Sequence, residues 1–246
     1  MRPIVSLLVA TIPRSGSWLL VEGLERTGQC GYAREYFRAD YQPRYAQAWG
    51  LPASVPIGEY LEAVLRYGST PNGIFAVKLH WGQFAHLAVQ LGGDSEPELI
   101  QRTFPEARFV YLRREDKAAQ AVSLFHAMQT DIWWKLDDSE DDEQASKETV
   151  DADLAAIRRL EAVLREHETQ WERFFANGPE PLVIRYEQLV ERYAETVQRV
   201  ASFVGVPPPE AIPPPALRKQ SGQGSEALLR KYIEYRDRAD LRAARS

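Results

Sequence analysis

At 246 residues, with 44% hydrophobic residues and a formal net charge of −5, the chain is long enough to bury a sizeable core and too acidic for a general nucleic-acid binder. Cys30 is the single cysteine, which excludes an intrachain disulfide and fits a reducing compartment. No stretch approaches the roughly 20 apolar residues of a membrane span, so the totals predict a cytoplasmic protein with one α/β domain over 1–246 and a helical portion around 130–180.

The first element is a buried strand over Ile4–Ala10, and it ends abruptly in Pro13-Arg14-Ser15-Gly16-Ser17. The run is short and meets Ile-Pro-Arg, unlike a signal-peptide cleavage site. Leu20, Gly23, Leu24 and Thr27 then repeat with helical spacing, with Gly28 as a stop. Strand, tight loop and helix aim backbone N–H groups and a helix dipole at one spot, which suits an anion. Arg14 adds a planar positive fork, and Ser15 and Ser17 add hydroxyls. The loop has one glycine and no lysine, so it is not a G-x-x-x-x-G-K-[ST] loop. An ordinary strand-to-helix turn remains open on this stretch alone.

From Cys30 to Gly50 no period holds, while aromatic and charged residues crowd together, including Tyr32, Arg34, Glu35, Tyr36, Tyr41, Tyr45 and Trp49. A long irregular segment after such a turn is more often a binding loop than a linker. Pro56–Tyr67 reads as a helix and Thr70-Pro71-Asn72-Gly73 as a turn. The second strand, Ile74–His80, carries Lys78 and His80 to its end, and helices follow over Trp81–Leu91 and Glu98–Phe104. The third strand, Arg108–Arg114, ends in two arginines and leads into a helix over Asp116–Gln129. The acidic run 137–143 reads as a solvated loop. A long amphipathic helix, Thr149–Phe175, puts Leu154, Ile157, Leu160, Leu164, Trp171, Phe174 and Phe175 on one face. A fourth strand over Pro181–Tyr186, a helix over Ala194–Val204 and a charged helix over Glu226–Leu241 complete the pattern.

Alternating strands and helices predict a P-loop-like, mainly parallel sheet of about four to five strands with helices on both faces. Ligands in such sheets bind at the carboxyl ends of strands. Arg14, Lys78, His80, Arg113, Arg114 and Tyr186 all fall there. No Walker B aspartate closes the third strand, and no metal is implied.

Together, Pro13–Ser17, Lys78-Leu79-His80-Trp81, Arg113-Arg114 leading to Ser123, and Ile184–Leu189 resemble the sulfotransferases that use 3′-phosphoadenosine 5′-phosphosulfate (PAPS), most closely the bacterial trehalose sulfotransferase family. Glu35-Tyr36-Phe37, Thr70–Gly73, Ala127–Thr130 and Leu217–Gln220 extend the resemblance over nearly the whole chain. It implies a 5′-phosphosulfate site at Arg14, Ser15, Gly16 and Ser17, with Trp18 beside them. It implies a 3′-phosphate site at Arg114 and Ser123, with Arg113 as the competing arginine. Tyr186 matches a tyrosine near the adenine, and Arg218, Lys219 and Gln220 match a late basic loop that closes over the nucleotide.

The resemblance also implies in-line transfer of a sulfuryl group, with Arg14 stabilising charge on the leaving phosphate and Lys78 reaching a sulfonate oxygen. Two bases compete for the acceptor proton. Glu35 matches the trehalose family and is favoured; His80 in Lys78-Leu79-His80 matches other sulfotransferases. Glu35, Tyr36 and Trp81 are the expected acceptor contacts. The acceptor is a small molecule or glycolipid-type carbohydrate, and a homodimer is expected by resemblance. His80 and the segment 38–56 depart from the trehalose pattern, which puts the sugar in question more than the chemistry. Two other classes remain: a P-loop kinase for a small metabolite, and a non-catalytic nucleotide-binding scaffold that offers the long helix to a partner.

Overall fold

The computed structural model describes residues 2–52, 54–93, 97–133, 153–216 and 223–244. The chain forms two compact units, one from 1–113 with 167–214 and the other from 114–166 with 215–246.

The first unit is built on four parallel strands: β1 (Val5–Thr11), β2 (Ile74–His80), β3 (Ala107–Arg113) and β4 (Leu182–Arg185), in the order β2-β1-β3-β4. Register sets Val9 beside both Lys78 and Val110, and Arg113 beside Arg185. Successive side chains on a strand point to opposite faces, so each apolar run feeds two layers. Leu8, Ala10, Phe75, Val77, Leu79, Phe109 and Tyr111 pack on one face with Trp171 and Phe174. Leu7, Val9, Ile74, Ala76, Val110 and Leu112 pack on the other with Leu20, Val21, Leu24 and Val197. The expected mainly parallel sheet with helices is present, with four strands.

Helix α1 (Ser17–Arg26) opens the second layer directly after β1. Helices α2 (Gln42–Ala48), α3 (Ile57–Tyr67) and α4 (Trp81–Gln90) follow. The segment read as irregular between Cys30 and Gly50 therefore contains a helix. Its start signal was present in Pro43 in the first turn, but its apolar positions are too few to show a period. Helix α5 (Pro97–Thr103) precedes β3.

Helix α6 (Lys117–Thr130) belongs to the second unit and is capped by Asp116, whose Oδ1 accepts from the Ala119 N–H at 2.8 Å. Helix α7 (Leu154–Ala176) carries the expected apolar stripe. Its Ile157 and Leu164 join Ala121, Val122, Phe125 and Tyr232 in the core of the second unit, while Trp171 and Phe174 serve the first. Helix α8 (Tyr186–Glu191) begins where the fourth strand was expected to end, so Tyr186 opens a helix and does not close a strand. Helices α9 (Tyr193–Phe203) and α10 (Gln223–Ala243) complete the chain. The acidic run 137–143 lies outside the described residues, as do Trp134, Arg218, Lys219 and Gln220. Among the described residues, no helix is long and apolar enough to cross a membrane.

Candidate active site

The loop between β1 and α1 is tightly built. Gly16 has φ +82°, in the left-handed region, and a Cβ there would lie 2.4 Å from Cδ2 of Tyr186. Only glycine fits that backbone under that ring. Arg14 is also left-handed, at φ +64°, a conformation that costs a non-glycine residue about 1–2 kcal/mol and that marks functional loops. Ser15 and Ser17 are buried. The Ser15 hydroxyl shares a 2.5 Å hydrogen bond with Thr11, so it braces the loop. Tyr186 at the head of α8 lies against Gly16, which sets the start of α8 beside the first loop.

Glu35 reaches the site through backbone pairing. Arg34 forms a parallel bridge with Val77, and the Lys78 N–H donates to the Arg34 carbonyl at 3.0 Å. Gly31 packs so closely on β2 that a Cβ would stand 2.5 Å from the Ala76 nitrogen. The segment after α1 therefore runs beside β2 and sets Glu35 next to Lys78.

Lys78 is 1% exposed. Its Nζ lies 2.7 Å from Glu35 Oε1 and 3.9 Å above the centre of the Trp18 ring. An ammonium so deeply desolvated needs both a counter-ion and a π face. His80 Nε2 stands 3.7 Å from the same Oε1, and Gln83 Nε2 donates to Glu35 Oε2 at 2.8 Å. The two bases that competed in the sequence thus share one site.

Burial alone would raise the Glu35 carboxyl, but His80 and the Lys78 ammonium outweigh it and hold the carboxyl well below the usual range. The Lys78 contact is within hydrogen-bond distance and the His80 contact is not, so Lys78 is the stronger partner. Burial in turn pulls the Lys78 ammonium below its ordinary range, and Glu35 restores part of it. Glu35 is therefore a carboxylate, not an acid, at neutral pH.

The remaining residues divide by unit. In the first unit Arg113 ends β3 with its Nη1 3.0 Å from Glu172 and its Nε 3.3 Å from Glu168. Arg114 and Ser123 are in the second unit, Ser123 on the second turn of α6. Trp81 packs edge-on to Trp171 at 5.1 Å. Tyr36, expected as an acceptor contact, is 3% exposed. Its hydroxyl donates to the Tyr32 carbonyl at 2.7 Å and its ring packs on Tyr45 and Trp49. Cys30 is fully buried with a free thiol, as expected of a small apolar residue. Gln83 was not found by sequence reasoning. The only signal was its place three residues after His80, the spacing of a capping box.

The site thus joins a four-stranded parallel sheet, a tight loop after the first strand and a buried Lys78–Glu35 pair. Solved structures carry the same fold: a sulfotransferase from Alicyclobacillus acidocaldarius (TM-score 0.52, 11% identity, 95% of this chain and 92% of that one) and the sulfotransferase domain of the curacin biosynthetic pathway (TM-score 0.54, 17% identity, 91% and 80%). The Stf0 sulphotransferase family model matches residues 6–235, and the chain belongs to that family. It is 32% identical to trehalose 2-sulfotransferase of Mycobacterium tuberculosis, across 94% of this chain and 95% of the relative. It is 28% identical to trehalose 2-sulfotransferase of Mycolicibacterium smegmatis, across 92% and 93%.

Proposed function

We propose that this sulfotransferase moves a sulfuryl group from PAPS to a hydroxyl of a carbohydrate or glycolipid-type acceptor, with Glu35 as the base. The observation that carries the reading is the buried Glu35 carboxylate, held by Lys78 and Gln83. A group that stays ionised at neutral pH needs no prior deprotonation before it takes a proton.

PAPS supplies the activated sulfuryl group; the chain supplies binding, orientation and charge. Arg14 and the N–H groups of Ser15, Gly16 and Ser17 suit an anionic 5′ end, because a left-handed loop at a helix N-terminus turns successive N–H groups to one side. Tyr186, against Gly16, suits the adenine. By resemblance Arg114 and Ser123 are assigned to the 3′-phosphate, with Arg113, beside Glu168 and Glu172, as the competing arginine. Arg218, Lys219 and Gln220 are assigned to the closing loop by resemblance. Lys78, beside both Trp18 and Glu35, is suited to meet developing negative charge. Trp81 is suited to an acceptor ring. The two trehalose 2-sulfotransferases above support a sugar acceptor. A homodimer in the cytoplasm is the expected state; light scattering of the purified protein reads the dimer.

The test is thermal unfolding with PAP, the desulfated product. Stabilisation at low micromolar PAP, with none from ATP or GTP, is expected. No stabilisation by PAP, or Mg-dependent ATP turnover, would favour a kinase instead.

A further inference from the structure

We infer that Gln83 is a positioning residue for the base, a role that rests on the assignment of Glu35 above. Gln83 is in the first turn of α4, 48 positions from Glu35 in sequence. Its two polar atoms have separate partners. Its Oε1 accepts from the His80 main-chain N–H at 3.2 Å, and its Nε2 donates to Glu35 Oε2 at 2.8 Å. The main-chain N–H can only donate, so it fixes which end of the amide faces the carboxylate. Gln83 is thereby locked as a donor toward Glu35.

Two consequences follow from that lock. A donor favours the carboxylate over the carboxylic acid, so Gln83 helps to keep the base ionised. It also holds Oε2 independently of Lys78, which grips Oε1. If the Lys78 ammonium turns toward an anionic sulfonate, Glu35 loses its closest cation but not its orientation. The carboxylate then becomes more basic in place, at the stage when the acceptor proton must leave. Lys78 supplies the charge at this site and Gln83 supplies the geometry. Gln83 touches neither donor nor acceptor in this scheme; it acts through Glu35.

Two near-isosteric variants separate this role from simple helix capping. Gln83→Glu keeps an oxygen to accept the His80 N–H but replaces the donor to Glu35 with a second negative charge. Gln83→Met removes both hydrogen bonds. Transfer of labelled sulfate from PAPS to the sugar or glycolipid that the wild type esterifies best is followed across pH, together with PAP affinity and melting temperature. For Gln83→Met, kcat is expected to fall about tenfold, with PAP affinity and the donor KM within twofold of wild type. For Gln83→Glu, the acid limb of kcat/KM moves up by at least one pH unit. Wild-type kcat in Gln83→Met, or an unmoved limb in Gln83→Glu, overturns the positioning role while leaving the base assignment intact. A Glu35→Gln variant with full rate overturns the base assignment itself and takes the Gln83 role with it.

Discussion

Lys78 and Glu35 meet at 2.7 Å in a site that leaves the lysine 1% exposed. One charge comes from the second strand of the sheet and the other from the segment that follows the first helix. Neither charge would be tolerated there without the other.

Removing one member of the pair therefore costs more than removing both. Glu35→Gln leaves a buried ammonium without its counter-ion and is expected to lower stability by about 3 kcal/mol. The double variant Glu35→Gln with Lys78→Met restores most of it. Urea unfolding of the four proteins of this cycle reads the coupling; additive losses would contradict a mutually dependent pair.

The pair also sets an acid dependence. The Glu35 carboxyl is lowered in the folded state, so its contribution is complete above the ordinary carboxyl range, about 4.3. It is lost as pH falls from there toward the lowered folded value. The stability difference between wild type and the double variant should be constant from pH 8 to about pH 5 and shrink below about pH 4. By the same sign, kcat/KM should show no acid limb between pH 8 and about pH 5. A limb near the free-imidazole range, about 6.5, would make an imidazole the base.

Much of this was legible in the sequence. The four strands are legible because each is an apolar run bounded by Pro, Gly or charge, and the loop after the first because Pro-Arg-Ser-Gly-Ser interrupts one so sharply. Lys78, His80 and Glu35 were each singled out. Their meeting was not, because it depends on the Arg34–Val77 bridge, which leaves no periodic trace. The choice between Glu35 and His80 rested on resemblance; their shared position came only with the fold. Gln83 escaped notice because a polar residue at the start of a helix is ordinary. The Thr11 partner of the Ser15 hydroxyl depends on packing and has no sequence signal.

By resemblance the 3′-phosphate falls to Arg114 and Ser123, with Arg113 as the competing arginine. Arg113 is held by Glu168 and Glu172. Arg114→Ala and Ser123→Ala should each weaken PAP binding by about tenfold or more, as expected on losing a charge-assisted or neutral hydrogen bond to phosphate. Arg113→Met should change it less than threefold. Calorimetric titration with PAP ranks them, and a larger loss at Arg113 would reverse the assignment.

Gly16 and Tyr186 form a second coupled pair. A Cβ on Gly16 would lie 2.4 Å from the Tyr186 ring at a φ of +82°. Gly16→Ala is expected to cost about 2–4 kcal/mol from left-handed strain and overpacking together. Tyr186→Ala added to it should recover the overpacking part but not the strain. Full recovery would mean that the backbone conformation carries no cost; no recovery would mean that the ring is free to move.

The most direct measurement is transfer of labelled sulfate from PAPS to a panel of sugars and glycolipids, run side by side with wild type and Glu35→Gln. Labelled sugar ester from the wild type, and a rate at least a hundredfold lower from Glu35→Gln at equal PAP affinity, is the expected result. Equal rates from the two proteins, or no labelled ester with any hydroxyl acceptor while PAP binds, would contradict a sulfuryl transfer driven by the Glu35 carboxylate.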